Sequence, residues 1–116
     1  MDTLEINGKK YVLESKAVKT NGLPYVMVRT YSAGVHCGYL ESREGKEVCL
    51  LESIRIWKWS GAATLSQLSQ EGTKDPENCK FSIPLKTKLI LTESIEIIEM
   101  TDEALNNIKA VKSWKV

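Results

Sequence analysis

The stretch Arg55-Ile56-Trp57-Lys58-Trp59-Ser60-Gly61-Ala62-Ala63 sets the tightest limits on how this chain folds. Its first half alternates in character, and a β-strand displays alternate residues on opposite faces. A regular strand puts Arg55, Trp57 and Trp59 on one face and Ile56 and Lys58 on the other. Its second half carries only small side chains. Gly61 suits a sharp corner, because glycine reaches backbone conformations that other residues avoid. Thr64 then reads as a helix N-cap, with Gln67 at the position of a capping-box partner and Gly72 at the far end.

The rest of the chain is written in the same short-strand style. Asn7-Gly8 lies between Leu4-Glu5-Ile6 and Lys10 to Leu13, the strongest two-residue hairpin signal. After a linker, Tyr25, Met27, Arg29 and Tyr31 alternate with Val26, Val28 and Thr30. That period of two predicts a half-buried strand. Val35 to Ser42 and Glu47 to Ser53 predict two more, with Ile54 to Ser60 as a further strand or a sharply bent extension. Phe81, Ile83 and Leu85 predict an edge strand, since Pro84 has no amide proton to give a ladder. Lys88 to Thr92 and Ser94 to Met100 follow as strands. Thr101 caps a last helix whose buried stripe is Leu105, Ile108 and Val111. Trp114 is placed to tack the tail to the body.

These elements predict a single mainly β (α+β) domain over residues 1–116. The expected architecture is a small SH3-like or Sm-like twisted barrel over 24–100, with a helix inserted at 64–71. An N-terminal hairpin over 1–14 precedes it and a helix over 101–110 closes it. A chain of 116 residues can bury a core without staples.

Charge narrows the partners. The chain has 16 basic and 15 acidic residues, a formal net charge of +1. A polyanion binder gains affinity by displacing counterions with excess basic charge, so the balance argues against nucleic acid. It equally argues against an electrostatic membrane anchor. The stretch MDTLEINGKK has no apolar segment of signal-peptide length, and no run approaches the roughly 18 apolar residues of a membrane helix. The three cysteines, Cys37, Cys49 and Cys79, are odd in number and form no CxxC pair. Reduced thiols in the cytoplasm of a host cell are the expectation.

No catalytic motif emerges. The single histidine, His36, adjoins Cys37, but neighbours on a strand point to opposite faces. Only Cys49, arriving across the sheet, could complete a cysteine–histidine pair. The spacings of His36, Cys37, Cys49 and Cys79 match no common zinc pattern. Glu41, Glu44, Glu47 and Glu52 read as solvated strand faces. Gly61-Ala62-Ala63-Thr64 precedes a helix, where free amides can meet an anion, but no phosphate-loop motif accompanies it. The expectation is a protein that is not an enzyme and holds neither metal nor cofactor. The strongest signal is the mix of aromatic and basic residues, which can stack on a base or grip a protein. The candidate binding residues are Arg29, Tyr31, Arg55, Trp57, Trp59, Gly61, Ala62 and Thr64.

Several blocks carry a resemblance. Val28-Arg29-Thr30-Tyr31-Ser32-Ala33-Gly34-Val35, Gly38-Tyr39-Leu40 and the passage from Arg55-Ile56-Trp57 to Gly61-Ala62 are the core of it. Glu96-Ile97-Ile98 to Thr101-Asp102-Glu103-Ala104 and the closing Trp114-Lys115 extend it. Over about Tyr25 to Lys115 the chain resembles a family of small phage and prophage proteins of unassigned function. It departs from that family at His36-Cys37, which argues against a catalytic role for the pair. The resemblance implies a phage-encoded accessory protein that acts by binding. Such a protein antagonises a host defence system, through a host protein or by sequestering a nucleotide-like small molecule. Two further readings stay open: a self-assembling structural or adaptor module, since Sm-like barrels form rings and homo-oligomers, and a nucleic-acid-binding Sm-like module.

Overall fold

The computed structural model describes residues 3–6, 9–12 and 22–115. Strands β1 (Thr3–Ile6) and β2 (Lys9–Val12) pair antiparallel as a two-stranded sheet of their own. Thr3 faces Val12 and Ile6 faces Lys9, the register expected of a hairpin around Asn7-Gly8. Those two turn residues and the linker over 13–21 lie outside the described residues.

Strands β3 (Tyr25–Thr30), β4 (Val35–Glu44) and β5 (Glu47–Lys58) form an antiparallel meander. Three shorter strands complete a six-stranded sheet. β6 (Lys80–Phe81) pairs with the C-terminal half of β5, and β7 (Leu89–Leu91) with its N-terminal half. β8 (Ser94–Glu99) pairs with β3 at the opposite edge. The strand order is β6-β5-β4-β3-β8, with β7 also beside β5.

The sheet does not close, so the expected SH3-like or Sm-like barrel gives way to an open sheet. Closure requires every strand to find two partners. β6 and β7 crowd onto one edge of β5 and are two and three residues long. Neither can carry a ladder round to β8. Among the described residues the edges meet at one end, where the Ser94 amide and hydroxyl both donate to the Lys46 carbonyl, at 3.1 and 2.8 Å.

A bulge divides β5. Cys37 faces Ile54 but Tyr39 faces Leu51, so β5 carries an extra residue there. Glu52 absorbs the kink with a φ of 51°. Gly38 lies opposite, where a β-carbon would stand 3.1 Å from the Leu51 carbonyl oxygen. Of the two expectations for Ile54 to Ser60, a further strand or a sharply bent extension, the chain takes the second: β5 is one bent strand.

Both faces of the sheet are covered. Tyr25, Met27, Cys37, Ile54, Ile56 and Phe81 line one face. Helices α1 (Leu65–Glu71) and α2 (Asp102–Ala110) lie over it and bury Leu68 and Ile108. Val26, Val28, Val48, Leu50 and Leu91 fill the other. Tyr25 to Val28 is thus buried on both sides, beyond the half-burial that alternation predicts. Both helix caps form as expected: Thr64 accepts from the Gln67 amide and Thr101 from the Ala104 amide, each at 3.1 Å. The expected Phe81-Ile83-Leu85 strand ends at Phe81, and Ile83 and Leu85 are exposed. No helix among the described residues is long and apolar enough to cross a membrane.

Candidate functional site

Two tryptophans on the surface meet edge to face. The rings of Trp57 and Trp114 lie 6.4 Å apart between centroids at 74°. They are 57% and 52% exposed. Each has a cation over its ring. The Arg55 guanidinium stands 4.4 Å from the Trp57 centroid and the Lys80 ammonium 5.0 Å from that of Trp114. Adjoining exposed apolar side chains are a mark of interaction surfaces.

Backbone contacts fix the strip in place. Arg55 donates through Nη2 to the Ala33 carbonyl at 2.5 Å, and its guanidinium lies against Gly34. The Trp114 amide donates to the Phe81 carbonyl at 2.8 Å, which ties the tail to β6 as its sequence position predicted. The β5–β6 ladder slips between Ile56 and Lys58, so Trp57 sits on a bulge.

The eight residues singled out from sequence do not form one site. Arg55 and Trp57 stay together. Trp59 leaves them: it packs against the helix-covered core and donates through its indole N–H to the Ala62 carbonyl at 3.2 Å. The bulge at Trp57 breaks the alternation that would have kept it on their face. Arg29 is also elsewhere. It faces Val35, which faces Ile56, whereas Arg55 faces His36 and Val28 on the other side of the sheet. Arg29 instead pairs with Glu96 at 3.2 Å. Tyr31 stands 78% exposed beyond the β3 end, its amide bonded to the Glu93 carbonyl.

Gly61, Ala62 and Thr64 serve the corner. Gly61 has a φ of 81°, and a β-carbon there would lie 2.6 Å from the Lys74 amide nitrogen. The loop after α1 packs directly on it, with Lys74 N donating to the Gly61 carbonyl at 3.2 Å. Ser60 Oγ donates to Asp75 at 2.8 Å, as does Asn78 Nδ2. The two bonds, Asn78's first, hold the Asp75 carboxyl below its ordinary range. At the helix start, Gln67 Oε1 accepts the Ala63 amide at 2.8 Å. The chain's own side chains therefore satisfy amides that an anion would need.

A hollow of about 570 Å³ opens beside Trp114, lined also by Pro76, Glu77, Cys79, Lys112, Ser113 and Lys115. Lys58 and Lys80 face each other across β5 and β6 nearby. Like charges placed directly opposite are destabilising. The ion pairs among the described residues, Arg29–Glu96, Glu71–Lys74 and Glu41–Lys88, include none of these lysines. Sequence reasoning missed Lys80, Lys112 and Lys115, because nothing local links them to Trp57. Folding thus sets Lys80, Lys112 and Lys115 around Trp114 with one carboxylate, Glu77, while Asp75 lies near Lys58.

The nucleophile and metal candidates fall apart. His36 is buried on the face opposite Cys37, and its Nε2 bonds the Ala33 carbonyl at 2.9 Å. Burial holds its imidazole below the usual value, and the neighbouring Arg55 adds to this against the pull of the Ala33 bond. Cys49, the possible cross-sheet partner, faces Ser42 and Ile90 and hydrogen-bonds Glu41. Cys37 is fully buried, which raises its thiol pKa far above the ordinary value. No three His, Cys, Asp or Glu side chains among the described residues are grouped to hold a metal ion. A second cation–aromatic cluster is structural: the Lys109 ammonium contacts the Tyr39 hydroxyl and stands over the Tyr25 and Tyr39 rings, joining α2 to the sheet.

A protein-family model described as a domain of unknown function, DUF6948, matches residues 23–108. The chain belongs to the DUF6948 family. The match spans β3 through nearly all of α2 and includes Arg55, Trp57 and Lys80; Lys112, Trp114 and Lys115 lie beyond it. No curated protein and no solved structure matches the chain.

Proposed function

We propose that this protein works by binding, not by catalysis, and that Arg55, Trp57, Trp114 and Lys80 are its recognition surface. The observation that carries the reading is the exposed indole pair, each ring capped by a cation. Tryptophan and arginine are enriched among the few residues that carry most of the binding energy at protein interfaces. The resemblance to small phage and prophage proteins supplies the setting. The protein is encoded by a phage, acts in the host cytoplasm, and antagonises a host defence system by occupying one of its components. The open face of the strip suits a host protein; the basic hollow suits a nucleotide-like small molecule.

Native mass spectrometry of protein made in its host tests the assignment. The wild-type chain is expected to carry a partner or a small-molecule adduct that Trp57→Ala loses while keeping a cooperative melt. A wild-type chain without any adduct, or a folded Trp57→Ala chain that retains it, overturns the reading.

A further inference from the structure

We propose that the hollow beside Trp114 is a nucleotide site, with the base on the Trp114 indole and the phosphate between Lys112 and Lys115. This rests on the binding reading above and names its ligand class. A volume of about 570 Å³ falls in the range of small-molecule sites. Its lining supplies what a nucleoside phosphate requires. Trp114 offers an aromatic face, and every base has a π-face to lay on it. Lys112 and Lys115 offer two ammonium groups without a carboxylate partner among the described residues. Glu77 and Ser113 can take the hydrogen-bond donors of base or ribose.

Two of the lining residues, Trp114 and Cys79, are held before a ligand arrives. The Trp114 amide is bonded to Phe81, and the Cys79 sulfur accepts the Ser60 amide at 3.4 Å. Lys80 over the Trp114 ring adds a third cation to Lys112 and Lys115, against the one carboxylate of the lining, Glu77. Preorganisation of this kind leaves less entropy to lose on binding. The overall charge of +1 favours one phosphate group over a long polyanion.

An amide and indole NMR titration with AMP, adenosine and inorganic phosphate tests the site. AMP is expected to move the Trp114 indole resonance saturably and leave that of Trp59, which is bonded inside the corner, in place. Adenosine should bind about tenfold or more weakly. Lys112→Gln with Lys115→Gln should bring AMP down towards the adenosine level and lessen its salt dependence. Trp114→Ala should weaken AMP by about tenfold or more. Absence of saturable AMP binding, equal shifts at Trp59 and Trp114, or inorganic phosphate binding as tightly as AMP would each overturn the nucleotide assignment. If AMP fails while the host-made protein still carries a Trp57-dependent adduct, the recognition surface stands and only its nucleotide is lost.

Discussion

Trp57 and Trp114 pack edge to face at 6.4 Å, one on a bulge in β5 and the other in the tail after α2. Trp59, two residues from Trp57, takes no part in this contact and packs, half-buried, against the helix-covered core. The contact separates two roles that the sequence assigns to a single strand face.

That separation has energetic consequences. Trp57→Ala removes an exposed edge-to-face pair and the Arg55 stack, for a loss of about 0.5–1.5 kcal/mol beyond its area. Trp59→Ala opens the packing between the corner and the helix-covered core, for a loss of about 3 kcal/mol. Urea denaturation of the two variants should show the larger midpoint change for Trp59. Equal changes would mean that the bulge does not divide them.

Gly61 is fixed by conformation and by space together. Its φ is 81°, and a β-carbon would lie 2.8 Å from Thr73 Oγ1 as well as against the Lys74 amide. Gly45, with a φ of 60°, has nothing within 4 Å of the same atom. Gly45→Ala should therefore cost only the left-handed backbone penalty, about 1–2 kcal/mol. Gly61→Ala adds overpacking, bringing the total to roughly 3 kcal/mol or more. Melting temperatures of the pair measure the difference.

His36 gives the protein a pH dependence that one residue can explain. It is the single histidine of the chain. Its folded-state pKa is lowered by burial, so between that value and about 6.5 the unfolded chain binds more protons than the folded one. Stability is complete above about pH 6.5 and falls as the pH drops through this window. Glu41 and Asp75 are also lowered, Glu41 by its bond to Lys88, but they titrate in the carboxylate range and lose their stabilisation at lower pH. His36→Gln keeps a donor for Ala33 and should flatten the stability profile just below about pH 6.5. An unchanged slope would assign it to another group.

Much of the fold was legible from residues acting on near neighbours. The β1–β2 register, the alternation in β3, the caps at Thr64 and Thr101 and the Gly61 corner follow from turn chemistry, side-chain period and hydrogen bonds within a few residues. These interactions are local, so the sequence alone determined them. It also placed Arg55 and Trp57 together on a strand, two of the four residues in the proposed surface.

Tertiary structure decided the rest. Whether the sheet closed depended on which edge β6 and β7 joined, and both joined β5. The positions of Trp59 and Arg29 depended on bulges and cross-strand partners, which leave no periodic signal. Trp114, Lys80, Lys112 and Lys115 come from segments distant in sequence: the β5–β6 ladder sets Lys80 beside β5, and the bond from the tail to Phe81 seats Trp114 against Trp57 with Lys112 and Lys115 around the adjoining hollow. Parity along a strand is counted from its own residues, but a single bulge resets it, and the bulge is set by the strand opposite.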